Sequence, residues 1–166
     1  MEIFLNRTLV VLTATQAFAQ SAVPIVVLLG GLVGVRLAPT PSLATLPVAL
    51  MIIGTALTTI PAALLMQRIG RRNVFLLGAS YCGFAGWLGA YAIGQDSFTL
   101  FCLATFLVGS QNAILQQYRF AVSESVAPDK IANSLSVLML AGVAAAYMGP
   151  EAGHMFKDAS SYGPFA

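Results

Sequence analysis

Gln67-Arg68-Ile69-Gly70-Arg71-Arg72-Asn73 places three of the chain's eight Lys/Arg residues within five positions, between two long apolar runs. A cationic turn between charge-free hydrophobic segments reads as a cytoplasmic loop of a membrane protein, because loops on that side carry the excess of Lys and Arg. Composition agrees. Of 166 residues, 58% are apolar and only 8% charged, with a mean hydropathy of +0.83. Soluble domains carry roughly 25% charge, so this composition excludes a water-covered globule. A net charge of +2 with no aromatic-interleaved basic patch carries no footprint of nucleic-acid binding.

Working outward from the turn, five segments are long enough to cross a bilayer, which takes about 20 apolar residues. They are 8–34, 43–66, 74–94, 98–118 and 131–149, with the start of a sixth near 160. None of the fourteen Asp, Glu, Lys and Arg residues falls inside the five. That partition has a physical cause, since a charge at mid-bilayer costs at least ~2.5–3.5 kcal/mol. No stretch alternates apolar and polar residues as a transmembrane barrel requires, so the spans are helices. The expected fold class is all-α integral membrane: one helical bundle over residues 1–166. Ala17-Phe18-Ala19 imitates a signal-peptidase site, but apolar character continues to Leu37 with no charge before Arg36, so the segment reads as a retained first span.

With the N-terminus cytoplasmic, that side carries Arg7, Arg68, Arg71, Arg72, Arg119 and Lys130, and the other side only Arg36 and Lys157. Six against two sets this orientation, and the expected location is a bacterial cytoplasmic (inner) membrane. The link over 119–130 is long enough for a short interfacial helix broken at Pro128.

Polar residues within spans are the candidate site. Thr13, Gln16 and Gln20 share one helical face in the first span, and Asn112 and Gln116 form a stripe in the fourth, with Gln111 and Gln117 beside it. Carboxamides facing lipid would leave donors and acceptors unpaired, so they turn toward a partner helix or a wet cavity. The substrate-cavity set is therefore Gln16, Gln20, Asn112 and Gln116, with interhelical hydrogen bonding as the plainer alternative. Ala79, Gly83, Gly86, Ala90 and Gly94, like Gly30 and Gly34, are small residues suited to close helix packing. Cys82 and Cys102 read as small buried hydrophobes. His154 lies between Glu151 and Asp158 without a second His or any Cys, so no metal is assigned and the cluster reads as a solvated patch. No nucleophile–base pair or phosphate-binding loop is present, so no enzyme and no cofactor is expected.

At Ala63-x-Leu65-x-Gln67-Arg68-x-Gly70-Arg71-Arg72 the sequence resembles the major facilitator superfamily, whose signature between its second and third helices runs G-x-L-a-D-r-x-G-r-k. Ala63 replaces the Gly and Gln67 the Asp. Glu124-x-x-x-Pro128-x-Lys130 is similar to the family's acidic-Pro-basic loop after the fourth helix, and Gly149-Pro150-x-x-Gly153 to its fifth-helix G-P-x-x-G. The resemblance implies the N-terminal six-helix half of a twelve-helix secondary transporter, whose partners are membrane lipid, a small-molecule solute and the missing C-terminal half of the same chain. It also implies alternating access. Gln67, Arg68, Gly70, Arg71 and Arg72 would form a gating loop for which Glu124 is the counter-charge. Proton coupling stays open, because no acidic residue lies inside a span and Glu151 is the nearest. The rival reading is a non-transporting membrane scaffold or accessory subunit.

Overall fold

The computed structural model describes residues 7–126 and 128–156, without the side chains of a few residues near those limits. Seven α-helices make five spans: α1 (Arg7–Gln20) with α2 (Ala22–Leu37), α3 (Leu46–Ile69), α4 (Arg71–Gly94), α5 (Phe98–Gln116) with α6 (Tyr118–Ser125), and α7 (Ile131–Phe156). No strand occurs among the described residues. In hydrocarbon a backbone N–H or C=O has no water to bond, and a helix satisfies both within one segment.

Two spans are interrupted, and the causes are local. The first breaks at Ser21, whose Oγ donates to the Phe18 carbonyl at 2.7 Å. Pro24 stands in the first turn of α2, where a missing N–H is tolerated, and it leaves the Gln20 carbonyl without its helical donor. The fourth span breaks at Gln117 and runs on as α6, so the link expected over 119–130 does hold a short helix ahead of a 3₁₀ turn over Pro128–Lys130. The helices also run beyond the apolar stretches. α3 continues through Arg68 to Ile69 and α4 begins at Arg71, so Gly70 alone joins them. Arginines near helix ends reach the interface on their own methylene stems, so charge does not end a helix there.

The hub is α5. Of its apolar stretch 56% is buried, against 17–22% for the other four spans. It packs along α3 and α4 and touches α2, while α7 packs on α1 and α2. The α3–α5 seam is the tightest contact. A Cβ at Gly109 would overlap the Met51 carbonyl, and one at Gly54 the Phe106 carbonyl. Across that seam Thr55 Oγ1 lies 2.9 Å from the Gly109 carbonyl and 3.0 Å from its own helix's Met51 carbonyl. Three apolar clusters run the length of the hub: Val33, Ala92 and Phe101 at one end, Met51, Ala85 and Val108 in the middle, and Leu115, Tyr118, Val122 and Leu138 at the other. Of the small residues singled out, Gly34 packs on the Ala44 carbonyl and Gly30 on the Val48 side chain. A Cβ at Gly83, Gly86 or Gly94 would meet nothing within 4 Å, so that row makes no close packing in this bundle.

Candidate functional site

The turn from which the sequence reading began is built on one residue. Gly70 has φ +84° and ψ 150°, a conformation that a side chain strains and glycine accepts. Its N–H still donates to the Met66 carbonyl at 3.1 Å, and Asn73 Nδ2 reaches back to the Ile69 carbonyl at 2.8 Å, closing the end of α3. Arg71 then becomes the first residue of α4, where the positive end of the helix dipole disfavours a cation. Glu124 answers it: Arg71 Nη2 donates to Glu124 Oε1 at 2.5 Å, tying the first turn of α4 to α6. The two side chains are 36% and 66% exposed, so the pair is screened. Beneath it the rings of Phe75 and Tyr118 meet at 4.3 Å and a 59° tilt, so the ion pair sits over an apolar contact joining the same two elements. Glu124 therefore engages Arg71. Gln67, Arg68 and Arg72 are exposed, and none is joined to Glu124.

The polar stripes are resolved unevenly. Gln16 is buried, Gln20 and Asn112 are half-buried, and Gln116 is exposed. Gln16 Oε1, Asn112 Oδ1 and Thr13 Oγ1 are buried without a hydrogen-bond partner. Two further groups share this condition: Gln111 Oε1 on α5 and Ser134 Oγ on α7. Gln111 stands in the sequence among its fellow carboxamides, whereas Ser134 carries no signal there, since its burial depends on where α7 docks.

An open cavity of about 440 Å³ lies between α1, α4, α5 and the start of α6. Gln111 lines it, but Gln16, Gln20, Asn112 and Gln116 do not. On α1 the cavity is faced by Ala14, Thr15, Phe18 and Ala19, and at about 100° per residue Gln16 and Gln20 point to the opposite side. Asn112 and Gln116 are likewise rotated more than a quarter-turn from the Gln111 face of α5. Gln111 and the other four carboxamides thus lie on different faces of their helices.

Gly149, Pro150 and Gly153 fall in the last turns of α7, which continues to Phe156; their side chains, and that of His154, lie outside the described residues, as does the expected sixth segment near 160. Cys82 and Cys102 are free thiols, Cys102 buried and Cys82 half-buried against the cavity. Beyond the Arg71–Glu124 pair, Arg36 and Asp96 approach to 3.9 Å at the other end of the bundle.

No family model matches the chain, and no solved structure does. Two curated relatives do. The chain is 44% identical over 146 residues to "Riboflavin transporter RfnT" of Brucella anthropi, a match covering 88% of this chain and 37% of that protein. It is 29% identical over 158 residues to "Uncharacterized MFS-type transporter YdeG" of Bacillus subtilis, covering 92% of this chain and 36% of that protein. The chain therefore spans little more than a third of the length of these relatives. With the arginine turn between the second and third spans and its acidic partner after the fourth, the chain belongs to the major facilitator superfamily.

Proposed function

We propose that the full-length protein carries an uncharged, flavin-like solute across the bacterial cytoplasmic membrane by alternating access. The observation that carries this reading is the 44% identity, over 88% of the chain, to a protein named as a riboflavin transporter. The chemistry of the spans is compatible with it. No ionised side chain lies in the apolar segments, which suits a neutral cargo. The buried oxygens of Gln16 and Asn112 await donors, and a flavin offers an imide N–H and several ribityl hydroxyls. Gln20 and Gln116 extend the two stripes toward the more exposed ends of the same faces.

The Arg71–Glu124 pair then serves as a latch on the side that carries most of the arginines, with Gln67, Arg68 and Arg72 around it and the N-terminus on that side. An exposed ion pair contributes only ~0.2–1 kcal/mol. That is small for folding but enough to tilt a two-state equilibrium by a factor of a few. The test is riboflavin uptake by the full-length protein in cells that cannot make the vitamin. Uptake above the empty-vector level, competed by unlabelled riboflavin and weakly by its phosphate ester, is expected. Membrane-inserted protein with no uptake above vector would refute the substrate assignment.

A further inference from the structure

The break between α1 and α2 frees one backbone oxygen. Ser21, the residue between them, keeps helical angles of φ −64° and ψ −21°, so the helical phase carries across the break. Pro24 has no N–H to give the Gln20 carbonyl. The nearest hydroxyl cannot replace it, because Ser21 Oγ is committed to the Phe18 carbonyl at 2.7 Å. Gln16, Gln20 and Pro24 follow one another at four-residue steps, which places them within about 80° on one side of the span. Gln20 and Pro24 are both half-buried, so side chains do not seal this part of the face. In the apolar stretch Thr13–Leu37, Gln20 lies within about 8 Å of the midpoint at 1.5 Å per residue.

Two more oxygens on that side lack partners. Thr13 Oγ1 and Gln16 Oε1 are buried without a hydrogen bond, and Gln16 is only 8% exposed. With the Gln20 carbonyl they make a row of three oxygens along about 10 Å of one helix. Lipid tails have no donor for them, and an unpaired oxygen at this depth is costly. The carbonyl differs from the carboxamides in kind. It is an acceptor only, fixed by its helix, and cannot turn to offer an N–H. At the end of α1 it also lies at the negative pole of the helix dipole, which favours a donor in front of it. A row of this length matches a chain of hydroxyls, each bringing its own donor, better than it matches one ring edge. We infer that the Gln20 backbone carbonyl accepts a hydrogen bond from a polyol chain of the solute, in line with Gln16, and that Pro24 is the positioning residue that keeps it free. The inference rests on the flavin-like reading above, and it assigns the ribityl chain to α1.

Pro24→Ala returns an N–H to the Gln20 carbonyl and alters no polar side chain. In the full-length protein, riboflavin uptake is measured together with its inhibition by lumiflavin, which has the same ring and a methyl group in place of the ribityl chain. The expected result is a KM for riboflavin raised about 2- to 10-fold, the value of one hydrogen bond, with the inhibition constant of lumiflavin unchanged. An unchanged riboflavin KM would overturn the inference. A parallel shift of both constants would do the same, since a change of helix shape alone moves both. If Pro24→Ala inserts but does not turn over, the two dissociation constants are read on purified protein by quenching of flavin fluorescence, and the same split is expected. Loss of folded protein would also count against the inference, because the break would then serve the fold. Wild-type protein that takes up no riboflavin would refute the flavin reading and this inference with it, whereas wild-type uptake with an insensitive Pro24→Ala would refute this inference alone.

Discussion

Gly109→Ala tests the reading of the α3–α5 seam. The added methyl would lie inside contact distance of the Met51 carbonyl, and that neighbour is backbone, which cannot rotate aside. Relief requires the two helices to separate. Overpacking of this kind costs ~1–3 kcal/mol. Separation also stretches the Thr55 contact with the Gly109 carbonyl, now 2.9 Å, and an interhelical hydrogen bond in a membrane averages ~0.6 kcal/mol with a ceiling near ~1.7. Against this, replacing glycine by alanine within a helix gains about 0.5–1 kcal/mol. The net expectation is a loss of about 1–3 kcal/mol. In the full-length protein, fluorescence-detected size-exclusion after heating would show this as a lower melting temperature, by roughly 2–4 °C per kcal/mol. Gly31→Ala is the control: it sits in the exposed part of α2 with nothing within 4 Å, and no loss is expected. Equal melting temperatures for Gly109→Ala and wild type would refute the reasoning.

Other expectations follow from the same contacts. Thr55→Val keeps the side chain's shape and removes only the hydroxyl, so the seam should weaken by about 0.6 kcal/mol, measurable in the same assay. Arg71→Glu should cut transport several-fold while leaving the melting temperature nearly unchanged, and exchange of charge with Glu124→Arg should restore part of it. Arg72→Glu should cost less than Arg71→Glu, because Glu124 bonds Arg71; the reverse order would remove the latch from Arg71. Gln16→Leu and Asn112→Leu each retain volume and delete a buried acceptor, and each should raise the apparent KM for riboflavin about 2- to 10-fold, the value of one hydrogen bond. Asp96→Asn should leave stability unchanged, since its partner Arg36 is 3.9 Å away and both are exposed.

The spans were legible because hydrocarbon excludes charge: the positions of fourteen ionisable residues draw the boundaries without any knowledge of packing. Which spans pack together was not legible, since the second and fourth form the tightest seam and the fifth docks on the first. What stayed hidden depends on rotation about each helix axis. Nothing in Arg68-Ile69-Gly70-Arg71-Arg72 says which arginine Glu124 will meet, because that depends on α4 beginning directly after Gly70 and on how α6 lies over it. The same holds for Gln111 and Asn112, adjacent in sequence and turned to different sides of the hub. The small-residue row on α4 was legible as a packing face, yet it packs against nothing described.

Gly70 is the whole of the connection between α3 and α4, and this makes the two helices a geared pair. Each residue of an α-helix advances its face by about 100°. A single residue inserted after Gly70 would therefore swing Arg71 by more than a quarter-turn away from α6, and two would carry it to the far side. Longer loops absorb such length changes as slack; this one converts them into angle. The length of the arginine turn is thereby locked to the rotational phase of α4 and so to every contact along that helix.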